Sequence, residues 1–291
     1  MHRFSHFKSQ VRHQVPLAMH TWFQLGGPAE FFAEPRLEEE LAALLQLCKK
    51  ESIPTQTLGF GSNIIIPDTG VLGMVFRLTA GCFCDIRTEG NTVIAGCGAK
   101  LGRVVTAAVH AGLAGIENLI GIPGTVGGAI VANTGTNNGT IGQWVKTIRL
   151  VHDSGEIFEV NGSDLSFGQS DNGLQDMILL EAVFELEEEN ASDLAKRLQT
   201  LWIVRKTMFP SGQCSGYIFN NPRGLPANEL IERAGLKGTR IGGAVVSERN
   251  ANFIVAEPEC TSSDILRLID LVRDQVLDRT DVELELNVRI W

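Results

Sequence analysis

Apolar and polar positions in "LEEELAALLQLCKKESIP" recur with the period of a helix, with acids early and lysines late to suit the helix dipole, and predict the first helix. "TQTLGFGSNIIIPD" then predicts a short β run broken by glycines, and "GMVFRL" and "NTVIAGCGA" predict further strands. "LGRVVTAAVHAGLAG" predicts a second helix closed by glycine. "VKTIRLVH" and "GEIFEV" flank Asp153-Ser154-Gly155 and predict a hairpin. "DMILLEAVFELEEEN" reads as a buried strand that turns acidic, and "ASDLAKRLQTLWIVRK" as a helix with Ser192 as its cap. The remainder predicts helix "PANELIERAGLKG", strands "AVVS" and "NFIVAE", helix "TSSDILRLIDLVRDQVLDRT" capped by Thr261 or Ser262, and strand "VELELNVRIW".

This rhythm predicts an α+β fold, and 291 residues suit two domains, the first ending between 190 and 200. A net charge of −9 without a basic block argues against nucleic acid or an anionic membrane as partner. The N-terminal "MHRFSHFKSQVRHQV" lacks the apolar run of a signal peptide, and no window approaches the ~20 apolar residues of a membrane span, so a cytoplasmic location is expected. The six cysteines lack paired C-x-x-C spacing and read as plain thiols, with Cys82 and Cys84 on one face of a strand. The histidines include no pair at ligand spacing, and no metal is expected.

Two stretches look like main-chain cradles for an anion. In "LGFGSNIII", Gly59 and Gly61 permit a turn with positive φ, and Ser62 and Asn63 add donors. "GIPGTVGGAIVANTG" packs Gly121, Gly124, Gly127, Gly128 and Gly135 around Thr125 and Asn133, an entropic cost that close approach of a large ligand explains better than a surface loop. Neither stretch has the strand-to-helix G-x-G-x-x-G setting or a Walker lysine, so a dinucleotide bound in another way is the inference. Tyr217, in "SGQCSGYIFNNP", is the only tyrosine of the chain and reads either as core filling or as a proton donor.

"HTWFQLGGPAEFFAEP", "LGFGSNIIIPDTGVLGMVFRL", "AGLAGIENLIGIPGTVGGAIVANTG" and "NELIERAGLKGTRIGGAVVSERNANFIV", in this order, resemble the UDP-N-acetylenolpyruvoylglucosamine reductase family, in its second type. The resemblance runs from about residue 19 to the C-terminus. It implies a vanillyl-alcohol-oxidase-type (PCMH-like) FAD-binding domain over 19–195 and a C-terminal α+β substrate-binding domain over 196–291. FAD is then held without a covalent bond by Gly59, Gly61, Ser62, Asn63, Gly121, Pro123, Gly124, Thr125, Gly127, Gly128, Asn133 and Gly135. NADPH reduces the flavin, and the hydride passes to UDP-N-acetylglucosamine enolpyruvate to give UDP-N-acetylmuramate for peptidoglycan. The implied protein is a cytoplasmic monomer.

The resemblance also locates departures. The donor loop A-G-S-x-F-x-N-P falls on residues 215–222, so Tyr217 stands at the donor's place and Asn220 at the lysine's, while Asn221 and Pro222 match. The glutamate of L-x-x-E-V-R falls on Asn287, with Val288 and Arg289 matching; the arginine of F-x-Y-R-x-S falls on Ser170, with Gln169 for the tyrosine. The phenol of Tyr217, with an ordinary pKa of ~10, is a competent acid, and Ser215 is the alternative hydroxyl. A strand's period of two puts Glu283, Glu285 and Asn287 on one face, with Glu285 as replacement carboxylate ~6 to 7 Å along. Asn221 and Arg289 are carried over as substrate contacts, and Arg149 and Arg205 are further cationic candidates. Two alternatives stay open: a flavin-binding relative that has lost reductase activity and serves as a binding or regulatory module, and a flavoenzyme of the same fold with another substrate.

Overall fold

The computed structural model describes Phe4, Phe7, and residues 10–136, 139–165, 174 and 177–291. The chain divides into two compact units, one formed by Met1–His13, Phe31–Gly59 and Gly73–Arg205, the other by Gln14–Glu30, Phe60–Leu72 and Lys206–Trp291. Local pattern ends the first domain between 190 and 200, and the long C-terminal segment of the second unit begins at Lys206 and shares that unit with two short early segments. Membership of those segments is set by long-range packing, which local periodicity does not carry.

In the first unit, helix α1 (Glu38–Lys50) buries Leu41, Leu44, Leu45 and Cys48, the i, i+3, i+4, i+7 stripe of an amphipathic helix. Glu40 closes its N-terminus by accepting the N–H groups of Arg36 and Leu37 at 2.8 and 3.3 Å. A five-stranded antiparallel sheet has the order Ile157–Asn161, Val145–Val151, Ile178–Glu185, Thr92–Gly96, Ile86–Glu89. Its central strand is apolar on both sides. Leu179, Ala182 and Phe184 join a core with helices α2 (Leu101–His110) and α3 (Val126–Val131), while Ile178 and Leu180 join another with α1, Met74 and Phe76. That double burial explains the unbroken apolar run "MILL". The hairpin forms as expected, with Val151 opposite Ile157, Gly155 at φ +81° and its N–H on the His152 carbonyl at 2.8 Å.

Helix α4 (Ala191–Met208) starts two residues earlier than Ser192 predicts: the Asn190 side chain accepts the N–H groups of Ser192 and Asp193 at 2.9 and 3.3 Å and is the cap. Cys82 and Cys84 lie in a 3₁₀ turn, Gly81–Cys84, and not on a strand face. Gly81, at φ +60° and tight against the Arg36 carbonyl, forces that turn.

In the second unit, a four-stranded antiparallel sheet runs Gln213–Cys214, Ile254–Ala256, Ala244–Val246, Arg240–Ile241. Helices α5 (Ala227–Arg233) and α6 (Ser262–Thr280) share its core through Leu230, Ile231, Ile265, Ile269 and Val272, and Phe23 and Ile65 enter from the early segments. Of the two predicted caps of α6, Thr261 is the one used: its hydroxyl accepts the Asp264 N–H at 3.1 Å and the Asp264 carboxylate accepts the Thr261 N–H at 3.1 Å. Asp68 adds a second carboxylate, on the N–H groups of Ser262 and Ser263 at 2.9 and 3.1 Å. The strand predicted over "VELELNVRIW" is confined to Arg289–Ile290, which pairs in parallel with Ile64–Ile65. Residues 282–288 still alternate, with Leu284 and Val288 buried, but their partner is an irregular loop and only Leu286 bridges, to Phe219. No helix among the described residues is long and apolar enough to cross a membrane.

Candidate active site

The glycine tract of the first unit is shaped by approaches that exclude side chains. Thr125 caps α3 by accepting the Gly128 N–H at 3.2 Å, and a Cβ on Gly59 would stand 2.7 Å from the same hydroxyl oxygen. Gly127 donates to the Cys97 carbonyl at 2.7 Å, and a Cβ there would meet Cys97 at 3.1 Å. The Leu101 N–H holds the Gly124 carbonyl at 3.1 Å, and Gly121 and Gly124 take φ of +77° and +135°. Half-buried Pro123 lies between them. Beyond α3, Asn133 turns at φ +43° and accepts the Gly142 N–H at 3.2 Å, and Gly135 abuts Gly139, where a Cβ would lie 2.6 Å from the carbonyl oxygen. The Arg205 stem crosses Gly121, and its guanidinium donates to the Asn118 carbonyl at 3.1 Å. Arg149, by contrast, is engaged with Glu38 at 2.8 Å, a hydrogen-bonded pair that raises its already high pKa.

In the second unit three stretches converge. Gly61, at φ +61°, presses on the His20 carbonyl and accepts the Trp22 N–H at 2.9 Å. Next to it, the Ser62 carbonyl accepts the Gly216 N–H at 2.9 Å. Asn63 donates its side-chain amide to the Asn287 carbonyl at 2.8 Å, and its own carbonyl accepts the Arg289 N–H at 3.1 Å. The Asn63 Oδ1 is shielded from solvent and has no hydrogen-bond partner among the described residues. It is an acceptor available to an incoming N–H or O–H.

The loop after Gly216 is held by its main chain. Asn287 donates its side-chain amide to the Tyr217 carbonyl at 2.9 Å and its backbone N–H to the Ile218 carbonyl at 2.8 Å. Asn252, 3% exposed, accepts the Phe219 N–H at 2.9 Å and donates to the Phe219 carbonyl at 2.8 Å, as a neighbouring strand would. Tyr217 lays its ring on Phe253 at 4.9 Å between centroids, and Phe253 in turn meets Phe209 at 5.0 Å. The tyrosine is 42% exposed, so it is not core filling.

The other predicted site residues divide by what already engages them. Ser215 is fully buried, with its hydroxyl on the Gly216 carbonyl at 3.0 Å; of the two candidate donors only Tyr217 is open to solvent. The Asn221 oxygen accepts the Ala227 N–H at 2.9 Å at the start of α5, and its amide nitrogen has no hydrogen-bond partner among the described residues. Glu285 is exposed and has no side-chain partner among the described residues, while its carbonyl accepts the Asn220 N–H at 2.9 Å. Arg289 is exposed too. Gln169 and Ser170 lie outside the described residues. Sequence reasoning misses Asn252 altogether and marks Asn287 only as the place of the family's glutamate, because only the fold brings each asparagine to the distant loop that it clamps.

Residues 29–161 match the FAD binding domain family, and residues 209–291 match the family of the UDP-N-acetylenolpyruvoylglucosamine reductase C-terminal domain. The solved UDP-N-acetylenolpyruvylglucosamine reductase (MurB) from Thermus caldophilus superposes with a TM-score of 0.83 at 32% identity, over 97% of this chain and 99% of that one. A UDP-N-acetylenolpyruvoylglucosamine reductase from Rhodopirellula baltica is 34% identical over 97% of this chain and 92% of its own length. This chain belongs to the UDP-N-acetylenolpyruvoylglucosamine reductase family. A relative of the same name from Syntrophobacter fumaroxidans is 39% identical over 94% of this chain and 82% of its own. The protein is therefore an FAD-binding oxidoreductase of the reductase family, with the expected α+β architecture. Tyr217 and Asn287, which the resemblance sets at the places of the family's donor and glutamate, are brought by the fold within one hydrogen bond of each other.

Proposed function

We propose that this reductase converts UDP-N-acetylglucosamine enolpyruvate to UDP-N-acetylmuramate with NADPH, as a cytoplasmic monomer serving peptidoglycan synthesis. Family membership over nearly the whole chain supports the reaction. Non-covalent FAD is held by Gly59, Gly61, Ser62, Asn63 and the tract from Gly121 through Pro123, Gly124, Thr125, Gly127 and Gly128 to Asn133 and Gly135. Two features fit such a group: the unpartnered Asn63 Oδ1, and glycine positions that a Cβ would fill. FAD, when bound, supplies the relay of hydride from the nicotinamide to the enolpyruvyl carbon.

The chain's own residues handle the proton. After hydride addition, the carbon next to the substrate carboxylate carries negative charge and must receive a proton from a positioned acid. Tyr217 gives it. The observation that carries this assignment is the exposed phenol on a loop bonded to Ser62 and, through Asn287, to Asn63. Ser215, its hydroxyl committed to Gly216, shapes the loop beneath. Arg289 and the amide of Asn221 bind the anionic and amide groups of the nucleotide sugar, and Glu285, which is exposed, serves as the replacement carboxylate.

Mixing the flavin-loaded protein first with NADPH and then with the enolpyruvyl sugar separates flavin reduction from reoxidation. Reoxidation by the sugar is expected. A yellow protein reduced by NADPH but not reoxidised by the sugar overturns the reading and leaves a flavin-binding relative without reductase activity.

A further inference from the structure

We propose that Asn287 is a positioning residue for Tyr217, and that tyrosine at 217 and asparagine at 287 work as a pair. This rests on the reading of Tyr217 as the proton donor. Asn287 makes three hydrogen bonds to two stretches of the site: its side-chain amide donates to the Tyr217 carbonyl at 2.9 Å, its N–H donates to the Ile218 carbonyl at 2.8 Å, and its carbonyl accepts the Asn63 amide at 2.8 Å. One residue thereby fixes the phenol-bearing peptide against the loop that carries the unpartnered Asn63 oxygen.

The chemistry requires an amide. A carbonyl oxygen can only accept, so its partner must donate, and an ionised carboxylate has no donor. A glutamate or aspartate at 287 would set a negative group against the Tyr217 carbonyl and release the peptide that carries the phenol. The Tyr217 hydroxyl makes no hydrogen bond among the described residues, and its ring is steadied by Phe253 on one side. The phenol's position is therefore set by the main chain, which is what Asn287 holds. Misplacement by ~1 Å is enough to slow a proton transfer ~100-fold. It follows that Asn287→Glu, which installs the glutamate that the resemblance sets at this place, slows this protein.

Because Tyr217 is the only tyrosine, fluorotyrosine incorporation gives a single ¹⁹F resonance that reports this ring alone. In the flavin-loaded protein, Asn287→Asp is expected to shift and broaden that resonance. It should slow flavin reoxidation by the enolpyruvyl sugar at least ~10-fold, while leaving reduction by NADPH within about twofold. In a Tyr217→Phe background the same substitution should change reoxidation by less than about twofold, since the group it positions is gone. An unchanged resonance, or equal slowing in both backgrounds, overturns the proposal. If Tyr217→Phe alone leaves reoxidation unchanged, the donor assignment fails, and the resonance still decides whether Asn287 holds the ring. Should Asn287→Asp not fold, Asn287→Ala removes the same donor without adding charge and is read by the same measurements.

Discussion

The glycine tract from Gly121 to Gly128 and the loop from Ser215 to Asn221 are held in opposite ways. In the tract, main chain lies against Cys97, Thr125 and the Arg205 stem, and the fit depends on side chains being absent. In the loop, side chains of distant residues, Asn252 and Asn287, grip main-chain atoms of 217–219. A tract built from missing atoms admits few substitutions. A loop gripped by its peptides leaves its exposed side chain at 217 free to vary, while Ser215, Ile218 and Phe219 stay buried beneath it.

Three substitutions test that contrast, beginning with the largest expected effect. Asn252→Ala removes both bonds to Phe219 and strands a buried N–H and carbonyl, and is expected to lower stability by about 3 kcal/mol in urea denaturation. Gly127→Ala brings a methyl group to 3.1 Å from Cys97 and is expected to cost about 1 to 2 kcal/mol with a loss of bound flavin. An equal effect on flavin from an alanine at Asn220, in the side-chain-gripped loop, would erase the distinction. Thr125→Ala removes the α3 cap and is expected to cost about 1 kcal/mol in the same denaturation assay, whereas Thr125→Ser should restore it.

The smallest effect concerns the buried thiols that adjoin the two regions, Cys97 and Cys214. Burial raises both above the ordinary 9.0, Cys214 to about 11. The unfolded thiol ionises first, so the stabilisation from burial is complete below pH 9.0 and is lost as pH rises through about 11. The urea midpoint should therefore fall over that interval, and fall less in Cys214→Ala. A midpoint as steep in the variant as in the parent would remove this thiol from the account.

Elements with strong periodicity were legible without coordinates: α1, α2, α6 and the hairpin around Gly155 lie where the apolar pattern puts them. Strands such as Val11–Pro16, "VRHQVP", were not, because only Val11 and Val15 are buried and the pattern does not alternate. In the site, the glycines at 59, 61, 121 and 124 were legible because few other residues adopt such turns or permit such contacts. Asn252 and the clamping role of Asn287 were not, since their partners lie 33 and 70 positions away. The same long range hid the early segments of the second unit, whose packing partners begin at Lys206.

That last separation has a consequence in time. Chains are made at roughly 5 to 20 residues per second, so the stretch from Phe60 to Leu72 leaves the ribosome on the order of ten seconds before Asn287 does. The parallel pairing of Ile64–Ile65 with Arg289–Ile290, and the bond from Asn63 to the Asn287 carbonyl, must wait for that arrival. The loop that carries Asn63 is thus locked only once residues 287–290 have emerged, and its final form cannot precede that event.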